Sequence, residues 1–376
     1  MPIGQRVCMA AAVAAVAVLV AACGSSPRPD PTPLEPLKPQ IAGKEVWRHA
    51  LSNVRFPMRV ATAGGHFTLA DSDGTVLALA ADTGRELWRG DAGAKLSAGV
   101  GSDGRYAAVV TVDNELVVLD AGKPLWRSRL AARVVTPPLV AGERVFVQGI
   151  DRAVTAFDVL DGRKIWALSR PGGDPLTLSQ PGVMLPWKDT LVVGQGPRLV
   201  GVDPLRGSIR WETAVASPRG TNEVERLADL VGPAARIGDT ICSRAFQAAV
   251  GCVAAERGVL QWTKPIGGTE GVAADDDYVF GVDASDRITA WKRASGETAW
   301  TSERFLYRDL SAPAVVGRTL VFGDKEGWLH FVDRADGQPL LRLSTGSKPV
   351  VGAPVRVGST LLVVTANGNV VAFRPE

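Results

Sequence analysis

Val76-Leu77-Ala78-Leu79-Ala80-Ala81-Asp82-Thr83-Gly84-Arg85-Glu86-Leu87-Trp88 reads as an extended apolar run, a tight turn at Asp82-Thr83-Gly84, and a second extended run that ends on an indole. A Gly followed four residues later by Trp recurs along the chain, at Gly43/Trp47, Gly84/Trp88, Gly122/Trp126, Gly162/Trp166, Gly207/Trp211, Gly258/Trp262 and Gly296/Trp300. An eighth copy, Gly337/Leu341, keeps the spacing and loses the ring. The final residues are spaced by 41, 38, 40, 45, 51, 38 and 41 positions, and seven of the ten tryptophans fall in this one phase. Self-similarity at this period is the mark of a repeat architecture.

Each repeat has a strand period. Leu116-Val117-Val118-Leu119, Val154-Thr155-Ala156-Phe157, Leu199-Val200-Gly201-Val202 and Leu329-His330-Phe331-Val332 match the opening run. A further strand precedes each of them, as in Val145-Phe146-Val147 and Leu320-Val321-Phe322, and before that comes one marked by Pro and Gly, as in Ala312-Pro313-Ala314-Val315-Val316-Gly317. Polar turns such as Asp324-Lys325-Glu326-Gly327 separate them. A unit is therefore four antiparallel strands. Such a sheet cannot cover both faces alone, but a radial stack lets each cover its neighbour. The expected fold is all-β, an eight-bladed β-propeller over residues 43–376. Trp47, Trp88, Trp126, Trp166, Trp211, Trp262 and Trp300 supply the inter-blade packing, each an apolar plate with an N–H to donate. The Gly43 strand has no three strands before it, and three strands follow Leu341, ending at Val370-Val371-Ala372-Phe373. Pairing the N-terminal strand with the C-terminal blade closes the ring and removes the free edge.

The composition agrees. Gly 41 and Pro 25 are a heavy load of turn residues, 22% of the chain is charged, and the formal net charge is +3. There is no electrostatic reason to expect nucleic acid. Three histidines, His49, His66 and His330, are scattered in sequence and give a poor start for a metal or acid–base centre.

The N-terminus lies outside the repeats. Residues 7–22 would reach about 24 Å as a helix, short of a bilayer core of about 30 Å, which fits a secretory signal over residues 1–22 better than a permanent span. The run Leu19-Val20-Ala21-Ala22-Cys23-Gly24 resembles a bacterial lipobox, which implies cleavage before Cys23 and lipidation of its sulfur; the alternative is a plain signal with a coincidental Cys. By resemblance to enteric lipoproteins, Gly24 implies sorting to the outer membrane. Prolines at 27, 29, 31, 33, 36 and 39 make residues 23–42 an extended, polyproline-like tether.

Cys242 and Cys252 remain for the mature protein, flanking an apparent hairpin whose turn is near Phe246-Gln247. They face each other either as a structural disulfide or as two buried thiols. Asp158, Asp203 and Asp333, four residues before a repeat Gly, and Asp82, two before, are expected to cap turns rather than to catalyse. No phosphate-binding loop or Ser/His/Asp constellation can be assembled, so no catalytic residue, metal or cofactor is expected beyond the lipid on Cys23. The repeats resemble those of pyrroloquinoline quinone-dependent dehydrogenases. Many of those carry a vicinal disulfide, and no Cys-Cys pair exists here. A periplasmic quinoprotein oxidoreductase is the alternative reading, and an adhesion or polysaccharide-binding propeller a third.

The two long repeat steps place excess chain in consecutive blade-to-blade connections on one rim. They contain Pro175-Leu176-Thr177-Leu178-Ser179 and residues 217–229, an apolar strip beside a charged one. That pairing suits protein docking, or else two loops that pack on themselves. Together with the lipobox, tether and eight repeats, Pro218-Arg219-Gly220-x-x-Glu223-x-x-Arg226-Leu227-x-Asp229 resembles the BamB family, lipoproteins of the outer-membrane β-barrel assembly machinery. The resemblance implies a non-catalytic scaffold that is lipid-anchored to the outer membrane with its propeller in the periplasm. It implies docking on the periplasmic domains of the barrel subunit BamA and help in delivering unfolded outer-membrane proteins. It makes Leu176 and Leu178 the apolar anchors, with Ser179 where the family has Arg. Arg219, Glu223, Arg226 and Asp229 position the loop or contact the partner, and Val231 stands where a second acid is expected.

Overall fold

The computed structural model describes residues 29–169, 176–218, 220–346 and 348–375. The signal expected at 1–22, Cys23 and Arg219 lie outside the described residues. Thr32–Glu376 forms one compact unit. It is an eight-bladed β-propeller whose blades occupy residues 66–91, 96–129, 139–168, 184–214, 230–264, 273–302, 314–344 and 350–375, the last completed by the strand Gly43–Ala50. Gly43–Ala50 pairs antiparallel with Asn369–Pro375, from Gly43 opposite Pro375 to Ala50 opposite Asn369, and this closes the ring.

Alternation makes the blades. The second and third strands are buried on both faces, as in Tyr106–Thr111, Thr190–Gln195 and Thr360–Thr365, because each side meets a neighbouring sheet. The innermost strands border the axis, and three of them, Met184–Trp187, Leu230–Ile237 and Val350–Val357, contain proline, which cannot donate to a ladder and is tolerated at a sheet edge. Pro233 and Pro354 sit where register shifts between Val231 and Ala235 and between Val351 and Val355. In the first blade the effect is largest: its sheet has three regular strands. After Pro57 the inner position is filled by a segment in which Ala61 exchanges hydrogen bonds of 3.0 and 2.8 Å with Thr68.

The repeat motif couples successive blades. In six of the seven later copies the ring of one blade's Trp lies so close over the next blade's repeat Gly that a Cβ there would come within 2.5–2.7 Å of the indole, as at Gly84 on Trp47 and Gly337 on Trp300. At Gly122 on Trp88 the gap is 3.2 Å. These glycines also have positive φ, 68° at Gly84 and 69° at Gly296, where side chains are strained. Five of the seven indole N–H groups then reach the carbonyl three residues before that Gly: Trp47 to Ala81 (3.1 Å), Trp126 to Val159 (2.7 Å), Trp166 to Pro204 (3.0 Å), Trp262 to Arg293 (2.8 Å) and Trp300 to Arg334 (3.0 Å). The spacing seen in sequence is thus one half of a contact whose other half lies a repeat away. Asp158, Asp203 and Asp333 accept from the backbone N–H groups of Leu160, Leu205 and Ala335, so they cap the turns that lead into the repeat Gly.

Cys242 and Cys252 are directly opposed on Thr240–Ala245 and Ala249–Ala254, with Cα atoms 4.0 Å apart and sulfurs joined in a disulfide. Part of the expected tether is bound to the ring. The Thr32 N–H donates to Leu306 (3.0 Å), Arg308 Nη1 donates to the Thr32 carbonyl (3.0 Å), and the Gln40 N–H donates to Leu340 (2.8 Å). Glu35 pairs with Arg304 at 3.0 Å, Leu34 packs against the apolar cluster that contains Phe305 and Phe322, and Ile41 against the one that contains Leu341 and Phe373. Residues 32–42 therefore form a strap across the seventh blade.

Candidate functional site

The two long connections meet on the face formed by the second-to-third-strand turns. Asp229, at the end of the second connection, binds with both carboxylate oxygens. Oδ1 accepts from Arg152, with Nε at 3.1 Å and Nη2 at 2.9 Å, and Oδ2 accepts the N–H of Leu178 at 3.0 Å. Arg152 Nη2 also donates to the Leu176 carbonyl at 3.1 Å, and the Arg152 carbonyl accepts from Gln195 Nε2 at 3.1 Å. One ion pair, 21% and 14% exposed, therefore ties a turn of the third blade, the Leu176–Leu178 strip and the 217–229 connection into one surface.

Burial explains why charge is used here. Irregular backbone has no ladder to satisfy it, so the Leu176 carbonyl and Leu178 amide take charged side chains as partners. Removing Arg152 withdraws the donor to Asp229 and to Leu176 together. Charge-assisted bonds of this kind contribute roughly 1.5–3 kcal/mol each. The expected result for Arg152→Met is a rise of tenfold or more in hydrogen exchange at the Leu178 amide, with exchange in the strand Thr190–Gln195 unchanged. Unchanged exchange at Leu178 would show that the strip is held by other contacts.

The second connection carries its own brace. The Glu225 N–H donates to Asn222 Oδ1 at 2.9 Å, while the Glu225 carboxylate accepts from the Thr221 N–H at 2.7 Å and hydroxyl at 3.1 Å. This is the reciprocal arrangement of a capping box. The Thr221 backbone N–H, first among these donors, holds the Glu225 carboxyl below its ordinary value. The brace leaves Glu223 exposed and Val224 72% exposed at the tip, with Arg226 half-buried and Ala228 buried. Leu176 and Leu178 are half-buried, and Ser179 is exposed beside them. Val231, where an acid was expected, is 2% exposed and bridges Gly182, so a carboxylate there would sit in apolar surroundings.

Of the residues named from sequence, Leu178 and Asp229 are joined by a direct bond and Leu176 is tied to them through Arg152, while Glu223 and Arg226 lie on the adjoining tip. Arg152, Glu225 and Val224 were not named. An Arg in a hairpin turn has no distinguishing signal, since its partner is 77 positions away. Glu225 could have been found from Asn222-x-x-Glu225, which has the spacing of a reciprocal cap. Among the described residues, no group of three or more His, Cys, Asp or Glu side chains could hold a metal ion.

A closed ring of eight blades, seven of them coupled through a Trp set on the next blade's Gly, with two joined insertions on one face, defines a propeller of the quinoprotein-repeat class. The sequence model described as outer membrane protein assembly factor BamB matches residues 40–92 and 72–302. The outer membrane protein assembly factor BamB of Burkholderia pseudomallei is 35% identical over 378 residues, 99% of each chain. The chain belongs to the BamB family. The crystal structure of BamB from Moraxella catarrhalis superposes with a TM-score of 0.79 at 20% identity, covering 88% of this chain and 99% of that one. Quinohemoprotein alcohol dehydrogenase from Comamonas testosteroni shares the fold, with a TM-score of 0.68 at 15% identity over 89% of this chain and 76% of that one.

Proposed function

We propose that this protein is a non-catalytic scaffold of outer-membrane protein assembly, consistent with the name its relatives carry. Its propeller, lipid-anchored through Cys23 and facing the periplasm, docks on the periplasmic domains of BamA and assists delivery and insertion of outer-membrane barrels. No cofactor beyond the lipid is part of this reading. The observation that carries it is the Arg152–Asp229 junction, which presents Leu176 and Leu178 next to the exposed Glu223–Val224 tip. A fixed apolar strip with a charged border is the anatomy of a protein interface, where the desolvated centre gives affinity and the rim gives register.

Within this reading Leu176 and Leu178 are the anchors. Glu223 and Arg226 face the partner, with Arg219 beside them in sequence, and Asp229 positions the strip instead of touching the partner. Replacing both leucines by Asp is expected to abolish co-purification with BamA while leaving the unfolding midpoint near the parent value, because neither side chain belongs to a core cluster. Undiminished co-purification from the folded double variant would move the interface elsewhere on the ring.

A further inference from the structure

The eighth repeat carries Leu341 in place of the Trp of the other seven, and Leu341 lines a cavity. Leu341 stands where the other blades carry Trp, and at the closing contact its Cδ2 is 3.2 Å from where a Cβ on Gly43 would be. Between the seventh and eighth blades lies a cavity of about 740 Å³. This is inside the roughly 300–1,000 Å³ range of small-molecule sites. Its walls are Phe331, Leu341 and Leu343 on one side and Leu361 and Phe373 on the other, with Ile41 of the strap at the edge. The first-to-second-strand turns at Gly317-Arg318 and Gly358-Ser359 border it, so it opens on the face opposite the Leu176–Asp229 surface.

The charged groups lining this cavity are Arg318, Arg356 and Arg374, and among the described residues no acidic side chain lines it. Arg374 is satisfied by neutral acceptors, the Thr360 hydroxyl at 2.8 Å and the Asp82 carbonyl at 2.6 Å. Arg318 reaches Asp333 only at 3.5 Å, and Arg356 is exposed with no carboxylate partner among the described residues. The cavity lies between the faces of two sheets and not along a strand edge, so it offers an entering peptide no ladder to join. A chain without backbone polar groups suits it better.

We infer that the seam between the seventh and eighth blades is a binding site for an acyl chain bearing an anionic headgroup, the chain against Phe331, Leu343 and Phe373 and the head at Arg318 and Arg356. The chain itself supplies the control. A Trp at 341 has a seat in every other blade, and by the shared geometry its N–H would reach the Gln40 carbonyl, three residues before Gly43. Leu341→Trp therefore fills the site while strengthening the ring.

The test uses the full chain in phosphatidylcholine nanodiscs and a dodecyl phosphate carrying a photoreactive diazirine at the chain end. Labelled peptides are mapped by mass spectrometry. Labelling is expected on residues 328–344 and 369–375, falling at least tenfold in Leu341→Trp and with the same chain on a trimethylammonium head. Arg356→Glu, an exposed change that leaves packing alone, is expected to lower labelling several-fold. Equal labelling by both headgroups, labelling undiminished in folded Leu341→Trp, or labelling spread over other blades would each overturn the assignment.

Discussion

Trp262→Ala is expected to cost about 3–5 kcal/mol of unfolding free energy, the usual range for truncating a buried large aromatic. The ring is 7% exposed and packs in a cluster with Val250, Val272, Val279, Trp291 and the Cys242–Cys252 disulfide. It also covers Gly296, whose Cβ would lie 2.6 Å from it, and its N–H satisfies the Arg293 carbonyl at 2.8 Å. Truncation therefore removes packing within the fifth blade and the plate that joins it to the sixth, and leaves a carbonyl to find water. Stabilities of folded domains are about 5–15 kcal/mol, so the loss is a large fraction of the whole. Gly296→Ala is expected to reproduce part of it from the other side, since φ is 69° and the new methyl displaces the indole. Leu260→Ala, on the same strand but 38% exposed, is expected to change stability by no more than about 0.5 kcal/mol. Urea unfolding of the three variants checks this, and a loss below about 1 kcal/mol for Trp262→Ala would reject the ring as an inter-blade joint.

The same contact explains what could be read in advance. Blade number, strand order and closure were legible because each rests on a local rhythm: alternation along Leu116–Leu119, a Gly that permits the turn, and a Trp four residues later. A ring built of equal units repeats its local constraints, so a single chain displays them eight times. The disulfide was legible for a related reason, since hairpin symmetry about Gln247 puts Cys242 opposite Cys252. The candidate site was legible only as surplus length. Where the backbone leaves its ladder, side chains from distant turns satisfy it, and nothing near Leu176 in sequence announces Arg152. The strap shows the opposite limit. Its prolines correctly exclude a regular ladder, yet the carbonyls they leave free are what Arg308 and Arg342 bind, at Thr32 and Glu35. A composition that reads as tether is also one that presents acceptors to any arginine along its path.

Arg308→Met is expected to destabilise the protein by about 3–5 kcal/mol, because it strands a buried carboxylate. Arg308 is 2% exposed and Asp324 0%, joined through Nε at 2.9 Å and Nη2 at 2.8 Å; Arg308 also binds Glu326 and the Thr32 carbonyl of the strap. His330 Nε2 lies 2.9 Å from the same Asp324 oxygen. The pair between Arg105 and Asp120 has equally short contacts on an exposed side chain, and Arg105→Met is expected to leave the unfolding midpoint where it was, since solvent screens that attraction. Burial, not geometry, separates the two. The buried cluster also gives stability a pH dependence. Burial pushes His330 below its ordinary value of 6.5, Arg342 and Arg308 push the same way, and Asp324 opposes them without reversing the shift. The unfolded chain then binds a proton that the folded chain refuses, so stability contributed by neutral His330 is present above about pH 6.5 and is lost as pH falls below it. Asp324 adds a second loss at lower pH. Burial pushes its carboxyl up, but hydrogen bonds from His330, the Trp328 amide and Arg308 outweigh this and hold it below the usual carboxylate range. Its contribution therefore goes only as pH falls below about 4. Denaturant unfolding between pH 7.5 and 5 is expected to show stability declining with acid in the parent and a flatter profile in His330→Gln, while Arg308→Met is destabilised across the whole range and loses the protection of the Thr32 amide. A His330→Gln profile as steep as the parent's would assign the acid sensitivity to another group.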